Sequence, residues 1–220
     1  IDLILDKLGP VMQKYAKLIG KTHGLKQMNF ADLQIDLDPE FAPKVSLNEA
    51  PNYIKKAVSL LGDNYAKMVM RSFDERWVDF AVNAGKETGG FETDPYGVHP
   101  YILMSWTDEL ADVYTLIHEL GHAGQALLTA QNNSILGSDP SMYLIEAPST
   151  FNELLLTHSL EQSTTDPRMQ RFAYTKMLTN TFYHNFVTHL LEAAFQREVY
   201  QIIDAGGSFD GAKLCELKQK

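Results

Sequence analysis

The sequence predicts a mostly α-helical domain with a small antiparallel β-hairpin beside its central helix. Apolar residues recur at steps of three and four through most of the chain, which is typical of the buried face of a helix. Glycine and proline concentrate in residues 83–106, and this stretch ends in a short aromatic and aliphatic segment of strand character. The composition is that of an ordinary globular domain, with 45% hydrophobic and 21% charged residues.

Charge and composition exclude several classes of partner. The net charge is −9 and no basic residues cluster, so we expect neither nucleic acid nor an anionic membrane as a partner. The apolar runs are too short to cross a bilayer. The single cysteine, Cys215, cannot form an intrachain disulfide, and it fits a reducing compartment such as the cytoplasm. Because the chain starts at Ile1 and stops at Lys220 inside an expected helix, we expect a fragment of a longer protein.

Residues 1–82 are predicted to form a helical scaffold. The first helical region is expected to break near Gly9 and Pro10, since proline cannot donate a backbone hydrogen bond. The alternation of apolar and polar residues predicts a short strand farther along. The elements expected here are two helical pieces in 1–22, a strand at 31–37, a helix from Ser46 or Asn48 to about Leu61, and a helix from Asn64 to Val78.

Residues 83–106 are predicted to be a glycine-rich loop followed by a substrate-edge strand. Their glycines and prolines mark turns and allow close approach of the backbone. The segment from Tyr101 to Trp106 has strand character, and a free edge there would let an extended peptide add to the sheet by main-chain hydrogen bonds. The plainer alternative is a surface hairpin.

The central helix is expected to run from Thr107 to Ala130. Its apolar residues recur with helical spacing, and Thr107 is a plausible N-cap. Asp108 and Glu109 would place negative charge on the positive first turn of this helix.

Three residues of this helix suggest a metal site. His118 and His122 are four apart and share one helix face, which suits two imidazoles that bind one ion. Glu119 lies about 100° around the helix, beside the position of a metal-bound water. This is the H-E-x-x-H pattern of zinc peptidases. The alternative is a helix whose two histidines lie on a solvated face, but an apolar run makes that arrangement costly.

Residues 107–165 are predicted to hold the complete metal site in two antiparallel helices. After a turn, a second helix is expected from Ser141, and Glu146 and Glu153 share one of its faces. Glu146 as a third ligand would give two histidines, one glutamate and an open position, which is the arrangement of catalytic zinc sites. Residues 166–220 are expected to be C-terminal helices, cut short at the end, in which His184 and His189 are ordinary helix residues.

Several motifs together resemble one family of enzymes. They are His118-Glu119-Leu120-Gly121-His122-Ala123-Gly124, Gly89-Gly90-Phe91, Glu146-Ala147-Pro148-Ser149 with Glu153, and Arg76-Trp77-Val78-Asp79-Phe80. The sequence in these places is similar to oligoendopeptidase F, of the thimet-oligopeptidase-like zinc metallopeptidases. The resemblance covers nearly the whole chain.

The resemblance implies a helical zincin-type catalytic domain around a deep cleft that cuts internal bonds of short peptides. It implies one Zn²⁺ per chain, held by His118, His122 and Glu146. It also implies that Glu119 is the catalytic carboxylate and that Glu153 orients a ligand histidine. We assign substrate binding to four residues: Gly89, Gly90, Phe91 and Tyr101.

The family enzymes are far longer than this chain, and this leaves an alternative open. Their tyrosine-rich segment, which donates hydrogen bonds to the tetrahedral intermediate, would lie beyond Lys220. The chain would then be a helical fragment that binds metal and peptide without turnover, with the missing remainder of its parent chain as a further partner. A third alternative is a structural helical domain with a chance motif.

Overall fold

The computed structural model describes residues 1–218, which form two compact units. One unit comprises residues 1–39 and the chain from residue 175 onward, and the other comprises residues 40–174. Over the described residues the chain is 64% helical with a small three-stranded mixed sheet, which confirms the predicted mostly helical class. None of the helices described is both long and apolar enough to cross a membrane.

The elements follow the chain in a simple order. Three short 3₁₀ segments, Phe30–Gln34, Ser59–Leu61 and Ile135–Gly137, connect longer elements. The helices are α1 (Asp2–Thr22), α2 (Ala50–Val58), α3 (Asp63–Asp74), α4 (Leu110–Asn132), α5 (Glu146–Ser163), α6 (Pro167–Lys176), α7 (His189–Asp204) and α8 (Gly211–Lys218), with π-helical turns over Met177–Thr188. The strands are β1 (Val78–Asp79), β2 (Gly90–Thr93) and β3 (Tyr101–Met104).

Two predictions in the first unit were wrong. Helix α1 passes through Pro10 without a break, and its buried residues Met12 and Ile19 hold the helix beyond the proline in place. The expected strand at 31–37 is instead the 3₁₀ segment that begins at residue 30. The backbone N–H of Asn29 donates to the Asp32 carboxylate at 2.7 Å, and such local bonds compete with strand pairing. The expected continuation of the last helix to Lys220 lies outside the described residues.

Helix α4 lies at the centre of the second unit. Its apolar face is buried in the core of this unit, and this burial stabilises the helix. It starts at Leu110, three residues later than predicted, because the Asp112 carboxylate accepts the backbone N–H groups of Thr107 and Glu109 at 2.7 and 3.1 Å. Its fully buried apolar side chains are Leu110, Val113, Leu116, Ile117 and Leu120.

Helices α4 and α5 are in unusually close contact at Gly121. A Cβ at this position would lie 2.5 Å from Ser149 Cα, so only glycine lets the two backbones approach so closely. The Asn152 side-chain amide donates to the Ile117 carbonyl at 3.1 Å, and Tyr114 Oη lies 3.0 Å from Thr157 Oγ1. These contacts hold α5 in one register on α4, and that register places the start of α5 beside the central histidines.

The sheet has the order β1-β3-β2, so β3 is its central strand. Strand β1 pairs parallel to β3, and β2 pairs antiparallel to it with Gly90 opposite Met104. The prediction that the Tyr101–Trp106 segment offers a free edge was therefore wrong, because β3 is paired on both sides. Within residues 1–218 the strand with a free edge beside α4 is β2.

Candidate metal centre

Two helices bring three metal-ligating side chains together. Helix α4 presents His118 and His122 one turn apart, and α5 presents Glu146 in its first turn. Glu146 Oε2 lies 3.2 Å from His118 Nε2 and 3.3 Å from His122 Nε2, and the two imidazole nitrogens are 3.3 Å apart. Within the part of the chain that the structure describes, this is the one group of three such residues whose ligand atoms come within 4.8 Å of one another.

These distances suit a zinc ion. Ligand atoms about 2.0–2.1 Å from a tetrahedral zinc are about 3.3–3.4 Å from one another, by the geometry of the tetrahedron. The three separations of 3.2, 3.3 and 3.3 Å agree with this spacing. Two imidazoles and one carboxylate leave a fourth position for water or substrate, as in catalytic zinc sites. The donor set therefore fits the predicted metal.

Neighbouring side chains orient two of the three donors. Glu153 Oε1 lies 2.6 Å from His118 Nδ1, so this nitrogen donates to the carboxylate and Nε2 faces the other donors. Ser149 Oγ lies 2.8 Å from Glu146 Oε2, to which it donates. A carboxylate behind a ligand histidine is a common arrangement, since it sets the ring orientation and the tautomer. Glu153 thus contacts the His118 ring, and its role in orienting a ligand histidine stays a prediction.

The carboxylates also change the pKa values of the groups that they contact. Burial alone would lower the pKa of His118, but the carboxylates of Glu146 and Glu153 raise this pKa to about 10. Hydrogen bonds from His118 and then His122 hold the pKa of Glu146 well below its usual range. A metal ion that binds at neutral pH must therefore displace a proton from His118.

Glu119 lies in the same cleft but is not one of the three donors. Its side chain is buried, and this burial raises the pKa of the carboxyl while the two histidines oppose the rise. Gly90 of β2 packs directly against it: a Cβ there would lie 2.8 Å from Thr115 Cγ2 and 3.2 Å from Glu119 Oε1. The strand can approach the helix so closely because residue 90 is glycine.

The cleft around these residues has a volume of about 590 Å³. Of the predicted substrate-binding residues, Gly90 and Phe91 line it, and Gly89 immediately precedes them with a φ of 91°. Phe91 also lines the pocket on the opposite face of the sheet, toward which its side chain points. Tyr101 lines a separate pocket instead, because it pairs with Thr93 and faces away from α4. The remaining wall residues come from β2 and its following loop, α4, and the segment before and into α5: Glu92, Asp94, His118, Glu119, His122, Gln125, Ala126, Asp139, Pro140, Met142, Ile145 and Glu146.

Several residues of the cleft belong to no motif of the sequence. Glu92 is the clearest omission, and its position as a charged residue on the inward face of β2 was the signal that would have revealed it. His158, also on α5, is exposed and does not line the cleft. His184 and His189 belong to the other unit, where their ring centroids are 4.5 Å apart.

Comparison with known proteins gives a consistent result. Peptidase family M3 matches residues 2–220. The chain is 33% identical over 164 residues to the group B oligopeptidase PepB of Streptococcus agalactiae, covering 74% of this chain and 27% of that protein. It is 31% identical over 174 residues to the oligopeptidase PepF of Bacillus subtilis, covering 79% and 26%.

A solved structure supports the same assignment. The crystal structure of a putative peptidase from Chlamydophila abortus matches with a TM-score of 0.75 and 25% identity, over 93% of this chain and 34% of that one. The chain spans between 26% and 34% of the length of the curated relatives it matches.

Proposed function

The chain belongs to peptidase family M3, and from this premise we propose that it carries the metal site of a zinc-dependent endopeptidase. The proposed reaction is hydrolysis of internal peptide bonds in short oligopeptides. The observation that carries the proposal is the spacing of the three donor atoms of His118, His122 and Glu146, with Glu119 beside them in one cleft. The names of the relatives support peptides as the substrate class.

The proposed chemistry divides between a metal ion and the side chains. A zinc ion bound by the three donors would lower the pKa of a coordinated water to about 7 and polarise a peptide carbonyl. Glu119 accepts a proton from the attacking water and delivers it to the leaving amine. Its raised pKa favours the first step, because a carboxylate with a higher pKa is a stronger base toward the water proton.

The side chains around the donors serve positioning. Glu153 holds the His118 ring through Nδ1, and Ser149 holds one oxygen of Glu146. The free edge of β2 lies beside Glu119 and would receive an extended peptide through main-chain hydrogen bonds. The substrate backbone would then lie next to the proposed proton acceptor.

One alternative has an observation in its favour. The chain spans a minor part of its relatives, so residues that stabilise the transition state would lie elsewhere in a parent protein. The chain alone would then bind metal and peptide without turnover.

We further propose a cytoplasmic location without nucleic-acid or membrane partners, supported by the single cysteine and the net charge of −9.

The substitution Glu119→Gln in the full-length protein tests the proposal. We expect turnover of an internally quenched peptide to fall about 10²–10⁴-fold, because the proton acceptor is lost, while zinc content is unchanged. The zinc measurement is the control, since it separates loss of chemistry from loss of the site. Cleavage by the variant at the wild-type rate would refute the role of Glu119.

A further inference from the structure

We propose that Glu92 is a specificity-determining residue, and that it selects peptides with a lysine or arginine side chain at the position that pairs with it on β2. This inference rests on the proposed function, because it assigns a preference to the same cleft. Glu92 lies on β2 two residues after Gly90, so both residues face α4 while Phe91 and Thr93 face away.

The path of β2 places Glu92 along the cleft from the metal donors. Gly90 packs against Glu119 near the middle of α4, and farther on Tyr96 Oη donates to the Asn133 carbonyl at the end of that helix, at 3.0 Å. The strand and the loop after it therefore run along α4 in the direction of the helix. Glu92, between these two contacts, lies about 6–7 Å along the strand from Gly90, by the strand rise.

Within the described residues, one oxygen of the Glu92 carboxylate is buried without a hydrogen-bond partner. Its Oε1 is inaccessible to solvent and makes no hydrogen bond there. Among the cleft-lining residues of that described part, none is lysine or arginine, and the charged groups that act on Glu92 are the like charges of Asp94 and Glu119. A carboxylate that is partly removed from water and faces other carboxylates is unfavourable without a cation beside it.

The pKa of Glu92 reflects the neighbouring carboxylates and the lack of a cation beside it. Burial, and then the charges of Asp94 and Glu119, raise its pKa to about 8. A bound cation would reverse the effect, since an opposite charge nearby favours the ionised carboxylate. A substrate with a basic side chain would thus supply the partner that the protein itself lacks.

Strand addition gives that side chain a defined position. A peptide that pairs with the free edge of β2 places the side chain opposite Glu92 on the same face of the sheet, with Cβ atoms about 4.5–5.5 Å apart. Lysine and arginine are long enough to reach the carboxylate from there. The peptide residue opposite Gly90 lies two positions away and nearest to Glu119, so the preference is for a residue two positions from the one at the proton acceptor.

The experiment compares peptides that differ in one charge. Internally quenched peptides carry lysine, glutamine or glutamate at each position in turn, and the full-length zinc-loaded protein cleaves them as wild type, Glu92→Gln or Asp94→Asn. We expect wild type to prefer lysine over glutamine at one position by at least about tenfold in kcat/KM. This ratio should fall to about one in Glu92→Gln and should largely persist in Asp94→Asn.

The control variant separates pairing from bulk charge. Asp94 lines the same cleft, so its neutralisation removes the same charge from the same region. Equal loss of preference in the two variants, an unchanged preference in Glu92→Gln, or no lysine preference in wild type would each overturn the inference.

A binding measurement distinguishes failure of this inference from failure of the proposed hydrolysis. Fluorescence anisotropy gives Kd for the same peptides, labelled, with wild type and Glu92→Gln. One outcome is that wild type cleaves no peptide and still binds the lysine peptide at least about tenfold more tightly than the glutamine peptide. If Glu92→Gln then loses this difference in Kd, the proposed hydrolysis fails and the inference stands. If wild type cleaves all peptides alike, the inference alone fails.

Discussion

The contact at Gly121 predicts that a single methyl group will damage the metal site from a distance. In Gly121→Ala the new Cβ would lie 2.5 Å from Ser149 Cα, 2.7 Å from Ser149 N and 2.8 Å from the Pro148 carbonyl carbon. An ordinary carbon contact is about 3.5–4.0 Å, so the methyl is about 1 Å too close. All three atoms are backbone, and therefore α5 itself must move.

The expected losses of stability and zinc affinity follow from the position of Glu146 on α5. Overpacking typically costs about 1–3 kcal/mol, and we expect the upper end of this range because no flexible side chain can yield. Glu146 lies in the first turn of α5, three residues before Ser149. A metal–ligand distance tolerates about 0.2 Å, so a shift of about 1 Å should weaken zinc binding at least about tenfold.

For Gly121→Ala, competition with a chromophoric chelator measures the zinc affinity, and denaturant titration measures the free energy of unfolding. Gly9→Ala is the matched control, because Gly9 lies inside α1 with nothing within 4 Å of its added Cβ. The free energy of unfolding of that variant should rise by about 0.5–1 kcal/mol, since alanine is the better helix former. If Gly121→Ala keeps wild-type zinc affinity and stability, the close contact does not hold the site together.

Three further predictions concern charge. Glu153→Gln should weaken zinc binding about 10–100-fold, because His118 loses its charged acceptor; chelator competition measures this, and an unchanged affinity contradicts the role. Zinc affinity should rise about tenfold per pH unit between pH 6 and about 9, because His118, with a pKa of about 10 in the metal-free protein, must lose a proton; a flat profile contradicts this. Glu92, with a folded-state pKa of about 8 against an ordinary 4.5, contributes stability below pH 4.5 that is lost as pH rises towards 8. We therefore expect the free energy of unfolding of Glu92→Gln to exceed that of wild type by about 1 kcal/mol between pH 5 and 8, since solvent around this half-buried group weakens the effect. Unfolding curves whose difference does not change with pH would contradict this.

The sequence predicted the centre of the site because that part depends on local spacing. Two histidines four apart share a face on any α-helix, so the spacing of His118 and His122 alone predicts that they lie together. Glu146 required only a turn and a second antiparallel helix. Helix α5 nevertheless begins at Glu146 and not at Ser141. That boundary depends on contacts with α4, such as the one at Gly121, and no local pattern reports it.

The sheet was harder to predict because strand order is a non-local property. The two-residue strand Val78–Asp79 has no periodicity, yet its pairing with β3 removes the free edge expected there. The consequence reaches the candidate substrate residues, since Tyr101 faces a different pocket while Glu92 lines the cleft. Alternation on β2 would have placed Glu92 beside Gly90, but only if β2 had first been recognised as the strand next to α4.

The zinc content per folded chain tests the central claim most directly. Elemental analysis of the purified protein, with His118→Ala as the control, measures it without reference to activity. We expect about one zinc per chain in wild type and none in the variant, because the three donor atoms of His118, His122 and Glu146 form one site. A folded wild-type protein without zinc, or a variant that keeps it, would contradict the account.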